Sequence, residues 1–159
     1  MRWGTVVLSF IAFVLAAALW FVFWPNEERV VRGRLGDIAK ILTVPVNESD
    51  LARVSRLSHM RDYLSPNAQI RYSNQEPASR EAVMAALAQW GRSPDGVKVE
   101  FVDVQVTFDA AQPNLASAYL TAKVSGRDSI DAREADVKLA RENGVWVVTS
   151  AEARETLTR

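Results

Sequence analysis

Eighteen consecutive residues without a charge, Val6 to Phe23, constrain this chain more than any other feature of its sequence. As a helix, this run would span about 27 Å, close to the thickness of a bilayer's hydrocarbon core. Twelve of the eighteen are Val, Leu, Ile or Phe, which together favour insertion by about 4–7 kcal/mol. We therefore predict that residues 1–25 are a transmembrane anchor and that residues 26–159 form one domain beside the bilayer.

The residues around the run leave a second interpretation open. Ala16 to Ala18 would serve as the small-residue site of a cleaved signal peptide. However, the apolar residues continue through Leu19 to Trp24, so a cleaved protein would begin with an exposed apolar segment. The pattern favours an anchor, with Trp20 and Trp24 at the headgroup level.

Basic residues flank the run on both sides, so they do not fix the orientation of the domain. Arg2 precedes the run, whereas Arg29, Arg32 and Arg34 follow it, which by the positive-inside rule favours a cytoplasmic domain. A very short N-terminal tail is typical of bacterial signal anchors that export the following domain. We expect an extracytoplasmic domain on that ground.

Composition excludes several classes of function. The chain has 19 basic and 19 acidic residues, so no excess of positive charge points to nucleic acid. Cysteine is absent and histidine occurs once, which argues against disulfides, cysteine nucleophiles and a bound metal. We expect no cofactor.

Periodicity predicts three helices followed by a sheet. The first helix follows Asn26, carries one apolar stripe and ends near Pro45. The second helix begins at Ser49 or Asp50, and Ser79 caps the third. The second helix should bury the stripe Leu51, Val54, Leu57 and Met60 and leave Arg53, Arg56 and Arg61 mostly outside.

The rest of the domain alternates as strands do. We predict a short strand over Ala68–Tyr72 and four long antiparallel strands: Val97–Phe108, Leu115–Ser125, Arg133–Glu142 and Val145 to about Leu157. Asn143-Gly144 predicts a tight hairpin, because both residues readily adopt positive φ angles.

The apolar face of the first long strand changes in mid-strand. Val97, Val99 and Phe101 share one face, but the apolar set then moves by one residue to Val102, Val104, Val106 and Phe108. Since alternation has period two, this slip transfers the apolar side to the other face. It predicts either a β-bulge near Phe101–Val102 or a strand that curls between two packing partners.

Three segments carry a resemblance to a known family: Tyr63–Ala68, Ser79–Val83, and the hairpin Ala135–Val148 with its Gly-x-Trp-x-Val ending. With the order of elements, they make residues 27–157 resemble the nuclear transport factor 2-like superfamily, which includes SnoaL-like cyclases and ketosteroid isomerases. The resemblance implies an α+β fold: about three helices packed on a curled antiparallel sheet that forms a cone with a pocket.

The resemblance implies candidate catalytic residues and candidate wall residues for the pocket. Enzymes of this superfamily place acidic, His or Tyr side chains inside it, and Asp103, Tyr72 and His59 are the candidate catalytic residues here. Asp103 would be a buried base, or the bulge would turn it outward to solvent. We expect the pocket wall to include four aromatic residues: Phe101, Tyr119, Trp146 and Trp90.

Two functions from different classes remain. The first is a membrane-anchored, non-enzymatic module that binds a small apolar ligand, a protein partner or a second copy of itself. The alternative is a SnoaL-like or ketosteroid-isomerase-like enzyme that uses acid–base residues in the pocket. A deep pocket with converging polar groups favours the enzyme, whereas an apolar pocket or an apolar sheet face favours the module.

Overall fold

The computed structural model describes residues 26–90, 95–127 and 129–154. The predicted anchor, residues 1–25, lies outside these described residues. Within them, no helix is long and apolar enough to cross a membrane. The chain divides into two units, Met1–Val30 and Val31–Arg159, and the core residues described below belong to the second.

Three helices and six strands make up the described residues. The helices are α1 (Glu27–Leu42), α2 (Asp50–Arg61) and α3 (Arg80–Trp90). The strands are β1 (Leu64–Tyr72), β2 (Ala78–Ser79), β3 (Lys98–Asp109), β4 (Gln112–Ser125), β5 (Ile130–Glu142) and β6 (Val145–Arg154). The predicted α+β class is confirmed.

The six strands form one mixed sheet in the order β2-β1-β6-β5-β4-β3. Strands β3 to β6 are antiparallel neighbours, as the sequence predicts. Strand β1, however, is parallel to β6, so the sheet is mixed and not antiparallel throughout. The reason is topological: α2 returns the chain so that β1 lies between β2 and the last strand.

The sheet curls around α1. Arg32 on α1 donates to the Val104 carbonyl on β3, and Arg34 donates to the Trp146 carbonyl on β6 at 3.0 Å. The Phe108 and Trp146 rings meet edge to face at 5.9 Å, although two strands separate β3 from β6. One helix therefore spans the concave side of the sheet.

The inner face of the sheet and one stripe of α1 form the core. Val31, Leu35 and Ile38 are buried on α1, at the spacing that the sequence predicts. Opposite them lie small and branched residues on the inner faces of β4 and β5: Ala116, Ala118, Leu120, Ala135, Val137 and Leu139. Along each strand these residues alternate with polar residues on the outer face.

The predicted inner stripe of α2 is wrong in its first half. Leu51 is 81% exposed and Val54 is 63% exposed, whereas Met60 is buried. Arg56 instead points inward, where Nε donates to Glu48 at 2.7 Å and a terminal nitrogen donates to the Ile41 carbonyl at 2.8 Å. The inward side of α2 at this turn thus carries the Arg56–Glu48 ion pair and a hydrogen bond to a carbonyl, in place of the apolar side chains that hydropathy favours.

Two turn predictions are confirmed. Ser49 caps α2, and its hydroxyl accepts from the Ala52 amide. Asn143 and Gly144 have φ angles of 51° and 81°, as a tight primed hairpin requires.

Candidate functional site

A cavity of about 250 Å³ lies between the three helices and the concave face of the sheet. Every residue that lines it is apolar. Helices contribute Leu35, Ile38, Leu42, Met60, Val83 and Leu87, and strands contribute Leu64, Ile70, Phe101, Val137, Val148 and Ala151.

The lining follows from two periodicities. Leu35, Ile38 and Leu42 recur at intervals of three and four, which places them on one side of α1. Val137, Ala151 and Ile70 come from three neighbouring strands and are direct cross-strand partners, so their side chains share one face. Helical and strand patterns thus converge on the same space.

Half of the lining is buried and half is reached by solvent. The buried half is Leu35, Ile38, Met60, Leu64, Val137 and Val148. Val83 and Leu87 on α3 are only partly buried, and no residue of that helix is fully buried. Helix α3 therefore covers the cavity from outside.

The bulge in β3 determines where Asp103 lies. The register with β4 shifts between Val102 and Gln105, and Asp103 has φ 53°. Phe101 before the bulge and Val104 after it both pack against the core. The bulge thus lies just beyond the predicted position, and it holds Asp103 on the exposed surface.

The other two candidate catalytic residues are also exposed. His59 lies near the end of α2, and Tyr72 is the last residue of β1. Among the described residues, none of the three lines the cavity and no hydrogen bond joins any two of them. The structure does not bring these groups together.

The four predicted wall residues occupy four different places. Phe101 lines the cavity. Trp146 is buried in the core against Phe108, and Trp90 is a half-buried residue at the end of α3. Tyr119 pairs with Gln105 and Asp136 on the outer face of the sheet.

The outer face of the sheet is polar. The Tyr119 hydroxyl donates to Glu134, and this bond raises the pKa of Tyr119, with the nearby negative charge adding to the effect. Arg154 lies 3.5 Å from Asp136 and 3.6 Å from Glu152. Such a solvated, paired surface contrasts with the apolar cavity on the other side.

Sequence reasoning missed one pair of residues near the cavity. The Arg133 guanidinium lies 5.7 Å from the centre of the Tyr72 ring, although the two residues are on strands separated by β6. The signal was the alternation of β5, which places Arg133 on the same face as Ala135 and Val137. The sequence did not reveal this pair, because the parallel pairing of β1 with β6 was not predicted.

The described residues contain no group of three or more His, Asp or Glu side chains that could hold a metal ion. They also offer no polar wall that would orient a polar cofactor in the cavity.

Comparison by sequence gives no relative. No protein-family model matches the chain, and no curated protein matches it.

Comparison by structure does give proteins of similar fold. A nuclear transport factor 2-like protein with a cystatin-like fold from Novosphingobium aromaticivorans matches with a TM-score of 0.67 at 14% identity, over 91% of this chain and 90% of that one. A candidate scytalone dehydratase from N. aromaticivorans DSM 12444 matches with a TM-score of 0.64 at 15% identity, over 84% and 86%. A nuclear transport factor 2-like protein of unknown function from Pseudomonas putida KT2440 gives 0.64 at 14%, over 83% and 88%.

At such low identity these similarities establish the fold and leave the activity open. The structured domain of this chain has the cystatin-like α+β cone fold of nuclear transport factor 2-like proteins.

Proposed function

We propose that this protein is a membrane-anchored, non-enzymatic module whose domain binds a small apolar ligand in the cavity. The observation that carries the proposal is the lining: all twelve residues are apolar, from seven different elements. Apolar cavities bind apolar molecules because water gains little by occupying them.

The same lining argues against acid–base catalysis at this site. A general acid or base must lie within hydrogen-bond reach of the reacting group. Asp103 and His59 lie on the surface, outside the lining. The enzyme alternative would need other residues or a different site.

The anchored part of the proposal is supported by sequence. The uncharged run Val6–Phe23 is long and apolar enough to favour the bilayer over water. We propose that it places the domain beside the membrane, on the extracytoplasmic side.

Decanol, a neutral single-chain probe, tests the binding function. The full chain is held in phosphatidylcholine nanodiscs, and radiolabelled decanol retained above that in empty nanodiscs is measured. We expect saturable binding of about one molecule per chain. Ala151→Leu should weaken it at least about ten-fold, because three added carbons would occupy the cavity.

Ser150→Leu is the matched control, because Ser150 pairs with Lys138 on the outer face of the same strand. Decanol binding to this variant, and to Asp103→Asn, should equal that of the unchanged chain. Non-saturable binding, or full binding by Ala151→Leu, would contradict the proposal.

A further inference from the structure

The inner face of the sheet continues beyond the cavity towards a charged residue. Phe101, which lines the cavity, pairs with Ala122, and Ala122 pairs with Arg133. Strands are about 4.8 Å apart, so the Phe101 and Arg133 backbones are separated by roughly 10 Å. Directly opposed residues share a face. Arg133 therefore lies beside the cavity wall, on its side of the sheet.

A second row of pairs reaches the same place from β1. Ala135 pairs with Ala153, and Ala153 pairs with Tyr72, two residues beyond the cavity-lining Ile70. The alanines leave room above the sheet, so the Arg133 guanidinium lies over β6 towards the Tyr72 ring, 5.7 Å from its centre. One cation and one phenol thus flank the end of an apolar space.

The Arg133 side chain is held in place but still reaches solvent. Its Nε donates to Asp131 Oδ2 at 2.9 Å, and the two side chains are 27% and 57% exposed. Guanidinium presents five N–H donors in a rigid fork that fits carboxylates and phosphates. An anion beside this end of the cavity would approach a guanidinium that Asp131 already holds in place.

The volume of the cavity limits what else the ligand can be. About 250 Å³ is below the roughly 300–1,000 Å³ of pockets that enclose drug-sized molecules. It has room for one short hydrocarbon chain rather than two. An apolar space of that size beside an arginine fits a molecule with a tail and a negative head.

We propose that the ligand is a single-chain amphiphile with an anionic head, whose tail occupies the cavity and whose head binds Arg133 beside Tyr72. This rests on the proposed binding function, which it refines by adding the head group.

Decanoate and decanol in the same nanodisc measurement test the inference, because they differ only in the head. We expect decanoate to bind at least about ten-fold tighter than decanol at equal free concentration. This ratio corresponds to the free energy of a charge-assisted hydrogen bond in a partly desolvated site. Arg133→Gln should remove this preference and leave decanol binding unchanged. Arg133→Lys, which keeps the charge and loses the fork, should retain part of it.

Arg154→Gln is the matched control, because Arg154 pairs with Asp136 and Glu152 on the outer face. It should keep the full preference for decanoate. Thermal unfolding of each variant verifies the fold, and Arg133→Lys still decides the question if Arg133→Gln is unstable. Didecanoyl phosphatidate, with two chains, should bind more weakly than decanoate.

The outcomes separate the two proposals. If decanol binds but decanoate binds no tighter, or Arg133→Gln keeps the preference, the anionic head is refuted and the apolar site stands. Tighter binding of the two-chain lipid also refutes the inference. If neither probe binds and Ala151→Leu changes nothing, the binding function itself fails.

Discussion

At the scale of single residues, the pair Glu48–Arg56 shows how charge competes with hydropathy. Both Glu48 oxygens accept from Arg56, at 2.7 and 2.9 Å, and the two side chains are only 3% and 11% exposed. Hydrogen bonds from Arg56 hold the pKa of Glu48 below its usual 4.5. Because the pKa of Glu48 is lower in the folded chain than in the unfolded chain, the ion pair stabilises the fold above pH 4.5. This stabilisation is lost as the pH falls through the pKa that Glu48 has in the folded chain.

Glu48→Gln should therefore lower the free energy of unfolding by about 2–3 kcal/mol at pH 7, because Arg56 loses a charged partner. The difference between the two proteins should shrink as the pH is lowered below about 4.5. Urea unfolding at pH 7 and pH 3 measures both values. Asp37→Asn, in the exposed pair with Lys40, should cost less than about 1 kcal/mol. An equal loss at both pH values would refute the assigned ion pair.

This pair also marks what a sequence can predict at this scale. Leu51 and Val54 have helical spacing, and hydropathy alone places them inside. Which face of α2 is buried depends on Glu48, in the preceding loop, and on the Ile41 carbonyl of another helix. Such long-range partners leave no periodic signal.

At the scale of elements, β3 is an edge strand whose exposed side is covered by the end of α1. The Thr43 hydroxyl accepts from the Val99 amide at 3.0 Å and lies 3.2 Å from the Val99 carbonyl. Val44 and Val97 then exchange two backbone hydrogen bonds, at 2.7 and 2.9 Å. One side chain and one short bridge thus prevent this part of the edge from pairing with another strand.

Thr43→Val keeps the shape of the side chain and removes its hydroxyl. We expect a loss of about 1–3 kcal/mol in the free energy of unfolding, because the buried Val99 amide then has no partner. Thermal or urea unfolding measures it. Thr107→Val on the exposed part of the same strand, where the hydroxyl makes a long 3.4 Å bond to Ser117, should change stability by less than about 0.5 kcal/mol. Equal effects of the two changes would show that Thr43 does not cover the edge.

Strands and turns were predictable because their signals are local. Period-two alternation locates β3 to β6, and the change of face after Phe101 predicts the bulge. The parallel pairing of β1 with β6 was not predictable, because alternation is the same for parallel and antiparallel neighbours. The direction of a strand depends on how the helices before it pack.

At the scale of the whole molecule, the chain combines a structured domain with a predicted anchor. Removing residues 1–25 should release that domain into the soluble fraction, because every core residue among those that the structure describes lies in residues 31–154. Sedimentation after cell lysis, with far-UV circular dichroism of the released protein, measures this. A truncated protein that still sediments with membranes would contradict an anchor confined to those residues.

Paired reporters fused after Arg159 determine on which side of the membrane the domain lies. One reporter is active only outside the cytoplasm and the other only inside it. We expect the first to be active. Replacing Leu8 and Leu15 by Arg in the same fusion is the control, because two charges in the run should abolish insertion.

The candidate site could be predicted only in part. Helical spacing and strand alternation indicate which face of each element is apolar, which is why Phe101 was placed in the cavity wall. We also expect Tyr119 there from the sequence, but it belongs to the outward-facing residues of β4 and points away from the face of Ala118 and Leu120. The neighbouring Arg133 depends on the order of strands across the sheet, which the sequence does not contain.

The position of β6 between β1 and β5 has a consequence for how the chain reaches its native state. Strand β1 is synthesised more than 70 residues before β6, its parallel partner. Its apolar side therefore stays exposed while β3 to β5 assemble. Contacts between residues so distant in sequence are slow to form. Docking of β6 is thus the step that closes the cavity, and a ribosome-bound chain lacking residues 145–154 should be a preferred substrate for chaperones.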